Sequence, residues 1–224
     1  MMFPRALDDS AGDTIALMIR QRRHPAATQA TRRVEAFTDG VFAIAATLLV
    51  LDLTTHSLGR VDSDARMWVA LGAMTELFGT FVLSFVLLCL LWMVHVQQFE
   101  RIARVDAVMV WLNSVRLLFI VLVPFATGLT TEYSEYLAGR LAMPTVFFLA
   151  ILCSWLQWRW AMRRRDVMLP ELTAAGATAS GRGALSALLI AAAVVLLSPA
   201  VGSIAFALFF LDTPLTRLLA AKRA

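Results

Sequence analysis

A handful of polar side chains stand inside stretches otherwise apolar enough to cross a membrane. They are Arg33 and Asp39, then His95, then Asn113, Ser114 and Arg116. Groups of this kind can relay protons, touch a permeating ion, or satisfy one another and so lock helices together. Each carries a cost. A charged side chain at the centre of a spanning helix is disfavoured by about 2.5–3.5 kcal/mol on insertion scales, and by less near its ends. The segment RVEAFTDGVFAIAATLLVLD, from Arg33 to Asp52, places a cation and a carboxylate in the first two turns of such a run. It is the first place to look for function.

Hydrolytic, redox and phosphoryl chemistry find little support. There is no His-Glu-x-x-His, no paired-cysteine spacing and no phosphate-binding glycine loop. His24, His56 and His95 lie in different regions, and Gly79, Ser84 and Ser114 have no nucleophile-elbow context. An enzyme needs clustered titratable groups, so none is expected here, and neither is a metal or cofactor. Cys89 and Cys153 fall in apolar runs and read as free, buried thiols.

The elements that position these residues follow from composition. The 224-residue chain is 59% hydrophobic and 16% charged, with a mean hydropathy of +0.73. Soluble domains average about 45–50% apolar and about 25% charged. An all-α integral membrane protein is expected. The net charge of +4 does not point to nucleic acid, because the arginines flank apolar runs, where they act as topology signals. Residues 1–31 read as a cytoplasmic N-terminal tail, with a helical turn near Thr14–Ile19 and no signal peptide. Residues 32–224 read as one six-helix domain. The spans are expected at 33–53, 67–98, 105–129, 141–162, 183–199 and 201–220. Trp155, Trp158 and Trp160 should form an interfacial aromatic cluster on the fourth.

The last two spans are separated on length. A single helix from Ala184 to Ala220 would run roughly 55 Å, against about 30 Å of hydrocarbon. Ser198-Pro199 and Gly202-Ser203 offer a turn. Basic residues agree. With the N-terminus inside, Arg5, Arg20, Arg22, Arg23, Arg32, Arg33, Arg101, Arg104, Arg159, Arg163, Arg164, Arg165, Arg182, Arg217, Lys222 and Arg223 are inside. Only Arg60, Arg66 and Arg140 fall outside. Both termini are then cytoplasmic in a multi-pass protein of the inner or plasma membrane.

That topology puts Arg33, Asp39, His95 and Asn113 at comparable depth, where they can pack together. Such a cluster either fixes helix packing or contacts a permeating ion or proton. On the first helix Ile44, Thr47, Leu48 and Leu51 follow i, i+3, i+4, i+7 spacing and share a face. Gly40, Ala43 and Ala46 allow close helix approach. Periodicity alone makes the stripe a face toward lipid or a neighbouring helix.

The motif Arg33-x-x-x-Phe37-Thr38-Asp39-Gly40 resembles the Arg-x-x-x-Phe-Ser-Asp signature of the transmembrane-protein-175 potassium channels. Val-Phe-Ala-Ile-Ala-Ala-Thr-Leu-Leu-Val-Leu after it is similar too, as are Trp92-x-x-His95 and Leu-Val-Pro124-Phe-Ala-Thr. Thr38 stands where serine is usual, and Val96 where many members carry a second histidine. The resemblance implies a potassium-permeable, modestly selective cation channel with no P-loop filter. A single-repeat chain of this bacterial type assembles as a homotetramer in the bilayer, its central pore lined by four first helices. By that resemblance Ile44, Leu48 and Leu51 match the hydrophobic constrictions and Thr47 the threonine layer tied to selectivity. Under the same resemblance Arg33, Phe37, Asp39, Trp92, His95 and Asn113 are expected to form a structural polar network, with K+ as the permeant ion and no cofactor. Two other readings stay open: a proton-coupled cation carrier titrating Asp39, His95 and Arg116, and a non-conducting membrane scaffold.

Overall fold

The computed structural model describes residues 28–53 and 61–211. Of the expected tail over 1–31, residues 1–27 lie outside the described residues and Gln29 to Thr31 already belong to the first helix; His56, Arg60, Arg217 and the chain end through Lys222 and Arg223 also lie outside. Every described element is helical. We number them α1 (Gln29–Leu48), α2 (Asp64–Ala73), α3 (Thr75–Phe99), α4 (Ala107–Glu132), α5 (Leu137–Arg163), α6 (Arg165–Met168) and α7 (Ala174–Val201). A 3-10 turn, Leu49–Asp52, follows α1, and a 3-10 segment, Gly202–Leu211, follows α7.

Local chemistry sets the boundaries. Thr28, Ser63, Asp106 and Thr173 each accept a backbone N–H of the first turn beyond them, the usual N-cap arrangement. Among the described residues five helical segments are long and apolar enough to cross a membrane: Ala30–Asp52, Thr75–Phe99, Ala107–Glu132, Leu137–Arg163 and Ala175–Phe209.

Two boundaries differ from expectation. The expected second span, 67–98, is divided at Met74, which leaves the helical ladder. Its front piece, α2, buries none of its residues, and Trp68 is 74% exposed. Only α3 crosses. A 32-residue apolar run exceeds the hydrocarbon core at 1.5 Å per residue, so the excess turns aside. The second difference concerns the chain end. α7 stops at Gly202, whose φ of 61° is the left-handed conformation glycine reaches without steric cost. Beyond it the chain returns along α7. Phe209 shares a cavity wall with Ala184 and Ala187, which a straight helix would leave roughly 33 Å away. The described part of this return is 3-10 rather than α-helical, and the rest of the expected 201–220 span is outside the described residues.

The core lies between α4, α5 and α7, with α1 and α3 laid against α4. One end of the bundle is tied by backbone. Ala103 O accepts from Thr28 N (3.1 Å) and Thr31 Oγ1 (3.2 Å), and Ala103 N donates to Met168 O (2.8 Å). There too Asp106 accepts from Trp160 Nε1 and pairs with Arg164 at 3.5 Å. At the other end Arg140 donates to Pro199 O (2.6 Å). The tryptophans do not form one interfacial cluster. Trp158 is buried, Trp155 lies under Arg159, and Trp160 lies under Arg164. Cys153 is buried as expected, whereas Cys89 is only half-buried.

The α4–α5 turn depends on Gly139. A Cβ there would lie 2.0 Å from Tyr133 O, while one at Gly183 of α7 would meet nothing within 4 Å. Gly139→Ala should therefore lower the stability of the detergent-purified protein by about 1–3 kcal/mol in thermal unfolding. Gly183→Ala should be neutral or stabilising, by about 0.5–1 kcal/mol of helix propensity.

Candidate functional site: the two faces of the first helix

α1 presents one face to the bundle and leaves the other open. Thr31, Glu35, Thr38, Phe42, Ala45 and Leu49 are buried. Their spacing alternates four and three residues, which keeps them on one stripe. On the opposite stripe Phe37 is 66% exposed, Ile44 60% and Leu51 63%, while Gly40, Thr47 and Leu48 are also exposed.

The buried face is fastened by hydrogen bonds. Asn113 Nδ2 donates to Thr38 Oγ1 (2.8 Å), and Thr38 Oγ1 donates to Val34 O (2.8 Å). Gln157 Nε2 donates to Asn113 Oδ1 (3.2 Å). This chain joins α1, α4 and α5, and each member is at most 2% exposed. Thr38 is both donor and acceptor, a double role that its hydroxyl can fill. One turn further along α4, Arg116 is fully buried. It donates to Leu91 O (3.0 Å), lies 3.5 Å from His95 Nδ1 and sits 5.8 Å from the centre of the Phe42 ring. His95 packs between Phe42 and Phe99, with ring centroids at 6.1 and 4.3 Å. Among the described residues no carboxylate lies within ion-pair distance of Arg116. A backbone carbonyl, an imidazole and an aromatic face compensate the cation instead.

The expected four-residue cluster is thus divided. Asn113 bonds to Thr38, and His95 meets Arg116. Asp39 Oδ1 accepts from Trp92 Nε1 (2.9 Å). Arg33 is exposed and stands apart from these contacts. Its position near the start of α1 explains this, since a long side chain near a helix end reaches the interface more cheaply than the core. The sequence marks neither Gln157 nor the inward-facing role of the Thr38 hydroxyl as part of the polar network. The four-three spacing of residues 31, 35, 38, 42, 45 and 49 is the signal that turns Thr38 inward.

From Phe37 onward the open face is apolar apart from Thr47. Its hydroxyl donates to Ile44 O (2.8 Å), which leaves the oxygen lone pairs free to accept or to coordinate a cation. Among the described residues no group of three or more His, Cys, Asp or Glu side chains could hold a metal ion.

This arrangement of α1, α3 and the front of α4 coincides with a known pattern. Residues 33–124 match the family model described as endosomal/lysosomal potassium channel TMEM175. A potassium channel from Streptomyces collinus is 42% identical over 101 residues, which cover 45% of this chain and 48% of that one. The endosomal/lysosomal proton channel TMEM175 of Danio rerio is 33% identical over 138 residues, 57% of this chain and 26% of its own. The matched stretch thus spans about half of the first relative and about a quarter of the second. A crystal structure of a lysosomal potassium-selective channel TMEM175 homolog from Chamaesiphon minutus superposes with a TM-score of 0.62 at 25% identity. That likeness covers 87% of this chain and 96% of the other, so it extends beyond the TMEM175-matching segment to α5 and α7.

Removing the Thr38 hydroxyl should orphan Asn113. Thr38→Val is expected to lower thermal stability in detergent by about 1–3 kcal/mol, and Thr38→Ser to retain most of it. Equal stability of the two variants would remove Thr38 from the fastening role.

Proposed function

We propose that the protein is a homotetrameric, potassium-permeable cation channel, not an enzyme, whose pore is lined by the open face of α1. One observation carries this reading. α1 is bound to its own subunit along one stripe, while the opposite stripe stays open and apolar over Phe37, Ile44, Leu48 and Leu51. The likeness to channels of the TMEM175 family supports it. Six crossings, with both termini cytoplasmic, follow if the return segment after Gly202 completes a sixth span. The groove beside α1, lined by Asp39, Phe42, Ala43, Ala46, Leu88, Cys89 and Trp92, suits close approach of the next subunit.

In a four-fold ring, Ile44, Leu48 and Leu51 offer no ligand to replace hydration water. A narrow ring of this kind dewets and closes; a wider one passes partly hydrated ions. Potassium sheds water more readily than sodium, so the neck favours it modestly. Thr47, with its proton committed to Ile44 O, turns lone pairs toward the ion. The residues Thr38, Asn113, Gln157, His95 and Arg116 act as a brace behind each pore helix, and K+ is the permeant species rather than a resident cofactor.

Reconstituted protein should carry potassium flux into liposomes and give stepwise single-channel currents in planar bilayers. Ile44→Asn should raise conductance and reduce discrimination against sodium, since a polar ring stays wet. Saturable flux driven only by a proton gradient, without unitary currents, would instead mark a carrier. No flux from well-behaved oligomers would leave a scaffold.

A further inference from the structure

Away from α1, α3 and α7 do not close against one another. Two adjoining cavities, of about 350 and 390 Å³, share walls formed by Val94, Gln97, Gln98, Ala184 and Ala187. The first is bounded by apolar side chains of α3, α5 and the return segment, including Leu90, Phe147, Ile151 and Phe209. The second extends toward the Ala103 end of the bundle, where Arg101 donates to Ser180 Oγ at its rim. Trp158 forms part of that wall. It is 3% exposed, and its indole N–H, beside Gly181, has no hydrogen-bond partner. The crevice is therefore graded, apolar at the depth of the bilayer core and cationic where the helices end.

We infer that this crevice binds an anionic phospholipid of the leaflet at the Ala103 end, with one acyl chain between α3 and α7 and the acidic headgroup at Arg101. Charge complementarity selects the occupant. A basic pocket between spanning helices at their cytoplasmic ends is the arrangement that recognises acidic headgroups. The apolar volume falls within the range of sites that enclose most of a small ligand. A zwitterionic headgroup would gain little from Arg101, and a fully apolar guest would leave the guanidinium end unused. The inference rests on the chain spanning a membrane but not on ion conduction, so a binding measurement tests it independently of flux.

Purified protein in detergent would be offered equal amounts of dioleoyl phosphatidylglycerol and dioleoyl phosphatidylcholine, and retained lipid read by native mass spectrometry. Phosphatidylglycerol should be retained about fivefold over phosphatidylcholine. Arg101→Gln should abolish that preference while keeping residual lipid. Gly183→Leu projects into the open cavity and should reduce retention of both lipids with no change in thermal unfolding in lipid-free detergent. Equal retention of the two lipids by the unmodified protein, or retention unaffected by both variants, overturns the site. Displacement of phosphatidylglycerol by an equal concentration of oleate overturns the phospholipid assignment. Loss of oligomer in Gly183→Leu, with lipid retention intact, would show that a second copy covers the crevice and also overturns it.

Discussion

Hydrocarbon cannot satisfy a polar group, so every polar side chain on α1 must be met by protein or carried to the interface. The Thr38–Asn113–Gln157 hydrogen bonds answer that constraint, and the remaining architecture depends on how they do so. Three helices meet at one buried point. Once Thr38 faces Asn113, the rotation of α1 about its axis is fixed. Phe42, Ala45 and Leu49 then turn inward one and more turns later, and Ile44, Leu48 and Leu51 turn out. The open stripe is therefore the consequence of a polar anchor on the opposite side.

The same constraint explains the cost accepted at Arg116. A fully buried guanidinium is expensive, yet its neighbours each supply a partial compensation: the Leu91 carbonyl, His95 Nδ1 and the face of Phe42. Because Phe42 belongs to α1, His95 and Leu91 to α3, and Arg116 to α4, the group ties these three helices along a second line. The backbone bonds through Ala103 and the Asp106 cap close the bundle at one end, so α1 is held both at its start and along its length.

Much of this was legible in the residues. Apolar run lengths placed most of the spans, and the turn residues after Ser198 marked the reversal that Gly202 makes. The i, i+3, i+4, i+7 stripe of Ile44, Thr47, Leu48 and Leu51 is the face left open. What periodicity could not supply was the pairing across helices. Arg33 and Asp39 are close in sequence and opposite in charge, yet Asp39 takes the Trp92 indole and Arg33 stays exposed. The partners of a buried polar group come from packing, and Gln157, more than a hundred residues from Thr38, carries no local mark of its role. The break at Met74 was hidden for a different reason. Residues 67–73 run into the span with no charged residue between, and only the length of the run shows that part of it must lie elsewhere.

The central claim is that the open face of α1 meets the ion. Cysteine accessibility during potassium flux tests it most directly, in a background where Cys89 and Cys153 are replaced by serine or alanine. Thr47→Cys should render flux sensitive to block by a water-soluble, charged thiol reagent. Leu196→Cys, 78% exposed on α7, should stay insensitive. Block at Leu196→Cys with none at Thr47→Cys would place the conducting path elsewhere and contradict the account.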